Sequence, residues 1–252
     1  MRLRVAVLSD FHSCRPFMDA RRIRAICARA NSLRPDIVLL LGDYASGPTF
    51  SRPLPLSEWA GALAELSAPL GVHAVLGNHD YEGIGREAAR RGPVPIEFAL
   101  RSAGISVYIN DAVRLETGGD GFWLAGLGSQ RAFHRHGQSH DLPDLGIDDL
   151  AKTLAPVSSD EPVLLMAHEP DIFPDVPARV ALTLSGHTHG GQVKLLGRTP
   201  VVPSRYGDRY VYGHITEEGR HLIVTSGLGY SNWPIRFATR TEIVLVELGG
   251  QA

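Results

Sequence analysis

The stretch Val72-His73-Ala74-Val75-Leu76-Gly77-Asn78-His79-Asp80 is an apolar run that stops on a glycine and three polar groups. The same design recurs along the chain. Residues 5–9 run into Asp10-Phe11-His12, residues 37–41 into Gly42-Asp43, residues 163–167 into His168-Glu169-Pro170, and residues 181–185 into Gly186-His187-Thr188-His189. Continuous apolar runs of this length predict strands buried on both faces. Helical patterns lie between the early ones. Ile23, Ile26, Cys27, Ala30 and Leu33 form one face, ended by Pro35. Trp59, Ala62, Leu63 and Leu66 form a second behind a Ser57 N-cap, and Ile96, Ala99, Leu100 and Ala103 a third, closed by Gly104. This alternation over the first 105 residues predicts an α/β layered fold. The later chain reads as β-rich, with a hairpin over 106–116 turning at Asn110-Asp111 and strands at 122–126, 192–195, 210–215, 221–225 and 242–248. No repeat or linker divides the chain, so residues 1–252 are expected to form a single domain.

Composition narrows the class. The chain has 252 residues, 44% hydrophobic and 21% charged, with a net charge of −2. Those values exclude intrinsic disorder, collagen and a simple coiled coil. The near-neutral balance and the lack of an aromatic-basic platform argue against nucleic acid as a partner. Two cysteines are too few for a disulfide framework, whereas 11 histidines are unusual. No signal-peptide pattern and no apolar run of about 20 residues is visible, so the expectation is a cytoplasmic protein without a transmembrane anchor.

Groups just past the ends of strands collect on one rim of a sheet. Asp10 and His12 are two residues apart, as are His187 and His189, so in extended chain each pair points the same way. Together with Asp43, Asn78 and His168 they can make two metal sites sharing one carboxylate. Imidazole suits zinc and iron, and carboxylate suits manganese and magnesium. A shared carboxylate can hold two ions about 3.5–4 Å apart, a spacing that serves in-line displacement at phosphorus.

In order and spacing, Asp10-x-His12, Gly42-Asp43, Gly77-Asn78-His79-Asp80, His168 and Gly186-His187-Thr188-His189 resemble the signature of the calcineurin-like metallophosphoesterases. The longer Gly186-His187-Thr188-His189-Gly190-Gly191-Gln192 (GHTHGGQ) is similar to a branch of small bacterial phosphodiesterases that also holds UDP-diacylglucosamine pyrophosphatases. The resemblance implies a four-layer αββα sandwich of two mixed sheets flanked by helices. It implies two metal ions (Mn, Fe or Zn), the first held by Asp10, His12, Asp43 and His189. The second would be held by Asp43, Asn78, His168 and His187, with Asp43 bridging. A metal-bridging hydroxide would attack phosphorus in line, Asn78 would help stabilise the equatorial oxygens, and His79, oriented by Asp80, would donate the proton to the leaving group. The chain has Gly42-Asp43-Tyr44-Ala45-Ser46-Gly47 where protein phosphatases of the family continue Asp-Arg-Gly, which argues against a protein substrate. The expected activity is a phosphodiesterase on a phosphate-ester small molecule or a nucleotide-lipid. The alternatives are a phosphomonoesterase, a nucleotide-lipid pyrophosphatase, or a non-catalytic interaction module that keeps the fold. Arg131 and Arg236 are further candidates for gripping phosphate, and the His- and Asp-rich stretch 130–146 is expected to be a surface loop with the capacity to act as a lid.

Overall fold

Two sheets form wherever the apolar runs stand. The computed structural model describes residues 2–134, 146–158, 160–195 and 199–249. The strands of the two sheets, in chain order, are β1 (Leu3–Leu8), β2 (Ile37–Leu40), β3 (Val72–Ala74), β4 (Ser106–Val107), β5 (Asp111–Thr117), β6 (Asp120–Gly126), β7 (Val163–Met166), β8 (Val180–Ser185), β9 (Gly213–Glu217), β10 (Arg220–Val224) and β11 (Val244–Leu248). The helices are α1 (Ala20–Ser32), α2 (Leu56–Leu63), α3 (Arg86–Arg91), α4 (Pro95–Ser102) and α5 (Leu150–Leu154).

The first sheet has five strands in the order β11-β1-β2-β3-β4, and the second six in the order β9-β10-β8-β7-β6-β5. Both have parallel centres, β1 to β4 in one and β6, β7, β8 and β10 in the other. Antiparallel strands β11, β5 and β9 close the edges. Strand periodicity sorts each apolar run between two cores. Val5 and Val7 face inward with Ile37, Leu39, Phe122, Leu124, Leu164, Met166 and Leu184, forming the layer between the sheets. Ala6 and Leu8 face outward with Val38 and Leu40 onto Ile23 and Cys27 of α1 and Trp59 and Leu63 of α2. The outer face of the second sheet, with Leu165, Leu222 and Val224, is covered by Phe173, Val176 and Tyr210. That cover comes largely from the 3₁₀ turn Pro170–Asp175 and its neighbours, so the fourth layer is thinner than the helical one opposite. The mixed α/β sandwich implied by the resemblance is what the chain forms.

Several local expectations need correction. The segment 106–116 is not a hairpin. β4 pairs with β3 in the first sheet, while β5 pairs with β6 in the second. Asn110 makes the crossing: its backbone is left-handed at φ 55°, and its side chain binds the Gly128 and Asp149 N–H groups and the Ile147 carbonyl. The true hairpin turns at Gly118-Gly119, between β5 and β6. Residues 192–195 form no strand, and Val193 makes an isolated bridge to Phe237. Tyr210 ends a 3₁₀ turn, so the strand predicted from it begins at Gly213. Ser57 lies inside α2, whose N-cap is Pro55. The stretch 130–146, with His136, His140 and the expected lid role, falls largely outside the described residues. No helix among the described residues is long and apolar enough to cross a membrane.

Candidate metal centre

The predicted ligands follow the C-terminal ends of β1, β2, β3, β7 and β8, and the two sheets bring them face to face. Asp10, His12, Asp43, His187 and His189 all have φ between 48° and 67°. Non-glycine residues seldom take that conformation, and it persists where the surroundings over-determine it. Here the loops lock one another. The Asp10 N–H donates to the Gly42 carbonyl and the His12 N–H to the Asp43 carbonyl, both at 3.0 Å. The His187 N–H donates to both Asp10 oxygens, at 3.1 and 3.2 Å. Two glycines let the loops close. Gly42 has φ +98°, and a Cβ on Gly77 would lie 2.2 Å from Asp43 Oδ1 and 2.7 Å from His168 Nε2.

Backbone carbonyls decide which nitrogen each ring presents, because a carbonyl can only accept. His168 Nδ1 donates to the Leu41 carbonyl at 2.6 Å, leaving Nε2 3.1 Å from Asp43 Oδ2. His12 Nδ1 donates to the Ser46 carbonyl at 2.6 Å, leaving Nε2 3.0 Å from His189 Nε2 and 3.7 Å from Asp43 Oδ2. His187 donates from Nε2 to the Pro203 carbonyl at 2.9 Å, so its Nδ1 is the free nitrogen. His189 Nε2 lies 3.4 Å from Asp10 Oδ1. A buried ring with its proton spent on a carbonyl sets a lone pair against a carboxylate oxygen, and such a contact calls for an added proton or a cation. Asn78 Oδ1 is buried and has no hydrogen-bond partner among the described residues. Ligand atoms of Asp10, His12 and His189 lie within 4.8 Å of one another, as do those of Asp43, His168 and His187. A third such group is His12, Asp43 and His79. Imidazole nitrogens with carboxylate and amide oxygens suit first-row divalent metals, so the donors gathered here fit such ions.

The electrostatics agree. Burial pushes Asp43 up, but His168, His79 and His12 outweigh it and hold the carboxyl well below its ordinary value. Burial would lower His168, and Asp43 instead holds it well above the usual imidazole range. Burial lowers His12 to about 4 and, with neighbouring positive groups, holds His187 and His189 well below their ordinary value. Those three rings are neutral, the form that binds metal. Burial raises Asp10 to about 6, with Asp43 adding to the rise and His168 opposing it.

The partner of the His79 ring differs from the one expected. The Asp80 carboxylate does not meet the His79 ring. It accepts the backbone N–H groups of Gly77 at 2.8 Å, Asp43 and Tyr44 at 2.9 Å, and Ala45 at 3.4 Å. Burial and then Asp43 push its carboxyl up to about 7, against those donors. The ring of His79 is held by Glu82, whose Oε1 faces Nδ1, and Glu82 Oε2 accepts from Ser46 Oγ at 2.7 Å. Burial would lower His79, but Asp43 and then Glu82 raise it to about 9. Asp80 thus ties the β2 loop to the β3 loop. Asp80→Ala is expected to cost about 3 kcal/mol in urea unfolding of the metal-free protein, because several buried N–H groups lose a carboxylate acceptor. A loss below about 1 kcal/mol would show that the loops are held by other means.

A family profile described as calcineurin-like phosphoesterase matches residues 3–191, which covers every one of these groups. The chain belongs to that family. It is 32% identical over 249 residues to a phosphodiesterase, YaeI, of Escherichia coli, covering 97% of this chain and 82% of that protein. It is 29% identical to an uncharacterized metallophosphoesterase, YkuE, of Bacillus subtilis, covering 97% and 78%. A zebrafish transmembrane protein with a metallophosphoesterase domain is 28% identical, covering 98% of this chain but 53% of that one, and a nematode relative is likewise matched over 48% of its length. This chain therefore spans about half of those longer relatives. Among solved structures, the NAD nucleotidase of Haemophilus influenzae shares the fold at TM-score 0.55 and 14% identity, over 91% of this chain and 51% of that one. The calcineurin-like phosphoesterase YfkN of Bacillus subtilis does so at 0.51 and 13%, over 90% and 81%.

Within this calcineurin-like chain, three supporting groups escaped the sequence reading. Glu82 stands three residues after His79 on a turn, a spacing that could have suggested it. Ser46 contacts it from another loop, which no local pattern announces. Glu169 follows His168 and accepts from Ser129 Oγ at 2.5 Å and the Gln130 N–H at 3.0 Å, fixing the loop that carries Arg131. Arg236 donates from Nε and Nη2 to the Gly229 carbonyl at 3.0 and 2.7 Å, with Nη2 3.1 Å from His189 Nδ1. Cys14 and Cys27 are free and buried. His73 is structural, held between the Leu70 carbonyl and the Tyr108 hydroxyl.

Proposed function

We propose that this phosphoesterase is a two-metal phosphodiesterase, with Asp10, His12, Asp43 and His189 as ligands of one ion and Asp43, Asn78, His168 and His187 as ligands of the other. The observation that carries the reading is the set of ring contacts: carbonyls occupy one nitrogen of each of His12, His168 and His187, and these rings stand within the clusters of candidate ligand atoms around Asp10 and Asp43. Two ions held there would lower the pKa of bound water and neutralise the phosphoryl oxygens. Every other contribution comes from the chain. Asp43 accepts the His79 main-chain N–H at 2.9 Å, which sets that residue beside the centre. Glu82 occupies Nδ1 of His79, leaving Nε2 to hold a proton for the departing oxygen. General-acid help of this kind is worth about 10²–10⁴-fold. Asn78 keeps a buried amide at the same edge. The preference for a diester is supported by the similarity to the Escherichia coli phosphodiesterase.

The test is hydrolysis of bis-p-nitrophenyl phosphate and p-nitrophenyl phosphate by metal-stripped protein reloaded with Mn²⁺. The expected result is higher kcat/KM for the diester. Faster turnover of the monoester would move the assignment to a phosphatase. No turnover of either, with two ions bound per chain, would favour an interaction module.

A further inference from the structure

We infer that the cavity beside His79 receives the alcohol that leaves phosphorus, and that it takes a donor-rich neutral or cationic alcohol, such as a polyol or amino alcohol, and turns away an anionic leaving group such as the phosphate half of a pyrophosphate. The inference rests on the phosphodiesterase reading and narrows it. The cavity holds about 400 Å³, within the range of small-ligand sites, and its walls include Ser46, Thr49, Ser51, His79, Glu82 and Asn232. His79 is the imidazole that faces it, so a proton leaving that ring lands on whatever oxygen the cavity holds.

The lining is rich in acceptors. Ser46 Oγ donates its hydrogen to Glu82 Oε2 at 2.7 Å, Thr49 Oγ1 to the Asn232 carbonyl at 2.8 Å, and Ser51 Oγ to the Pro48 carbonyl at 2.5 Å. Each hydroxyl has therefore spent its proton on the protein and offers a ligand only lone pairs. Glu82 is the carboxylate of the wall, its Oε1 paired with Nδ1 of the His79 ring that also lines it, and no lysine or arginine is among the described lining residues. Phosphate is normally gripped by arginine forks, lysine, or the N–H groups of a helix start. The arginines near the centre are placed elsewhere. Arg236 is bound at Gly229 and His189, and Arg131 sits on the loop anchored by Glu169. Hydroxyl and ammonium hydrogens are what this wall can satisfy. A second phosphate would bring more acceptors to acceptors, facing a carboxylate.

The experiment compares two matched diesters, methyl 4-carbamoylphenyl phosphate and methyl 4-carboxyphenyl phosphate, on the Mn²⁺-reloaded protein and on its Glu82→Gln variant. The leaving phenols have the same shape and differ in carrying a neutral amide or an anion. The expected kcat/KM ratio is at least about tenfold in favour of the carbamoyl ester, and glutamine, equal in size but able to donate, is expected to narrow it below about threefold. Equal rates on the two esters, or a ratio that Glu82→Gln leaves intact, overturns the assignment of the cavity while leaving the phosphodiesterase reading standing. No cleavage of either ester or of bis-p-nitrophenyl phosphate, with two ions bound, overturns both. Ligand-observed NMR with free 4-hydroxybenzamide and 4-hydroxybenzoate reads the subsite without turnover. Stronger broadening of the amide supports it, and broadening of the benzoate as strong as that of the amide overturns it.

Discussion

Asp43→Asn protein is expected to bind less than one equivalent of metal and to lose at least about a thousandfold in diester hydrolysis, and its metal-free fold is expected to be less stable than the parent's. Losing an outer partner of a metal ligand alone costs about 10–100-fold in affinity, and Asp43 would serve both ions at once. The stability half follows from the metal-free contacts. Asp43 Oδ2 stands 3.1 Å from His168 Nε2 and 3.7 Å from His12 Nε2, each ring having its other nitrogen on a carbonyl. An asparagine oxygen can still accept the His79 N–H that Asp43 Oδ1 accepts now, but the variant gives up the buried ion pair in which Asp43 holds His168 above, and His168 holds Asp43 below, its ordinary value. Metal content by plasma mass spectrometry, together with urea unfolding, checks it. Two full equivalents of metal in the variant would remove Asp43 from the bridging position.

His79→Ala is expected to cost about 10²–10⁴-fold on a diester with an alkyl leaving group and no more than about tenfold on bis-p-nitrophenyl phosphate, whose leaving phenolate hardly needs a proton. Side-chain removal here spares the loop. The main-chain N–H of residue 79 still reaches Asp43, Asp80 still ties Gly77 to the β2 loop, and Ser46 still holds Glu82. Metal content should be unchanged, and that control separates proton transfer from loss of the centre. Equal losses on both substrates would take His79 out of proton transfer and return it to the third ligand group it forms with His12 and Asp43.

Much of this protein is legible along the chain because the deciding interactions are local. Runs such as Val5–Leu8 and Ile37–Leu40 are apolar at every position, and a strand buried on both faces is the conformation that places all of them out of water. Polar residues that follow such runs have one rim to occupy, so the candidate ligands could be named before any contact was known. The crossing at Asn110 was not legible, since alternation on either side of an Asn-Asp pair reads the same for a hairpin as for a strand that changes sheets. What separates the two is a side chain bound to Gly128, Ile147 and Asp149, 18 to 39 residues away.

The partners of the centre were decided in the same way. Residue type and spacing alone determined that imidazoles and carboxylates would gather, because a strand end leaves its next residues at the sheet's rim. Only the tertiary structure decided which nitrogen of each ring is free, since the carbonyls of Leu41, Ser46 and Pro203 come from other loops. It likewise gave Asp80 to four backbone N–H groups and His79 to Glu82. A carboxylate goes to the donors that would otherwise be buried without a partner, and which donors those are depends on how the two sheets bring their loops together.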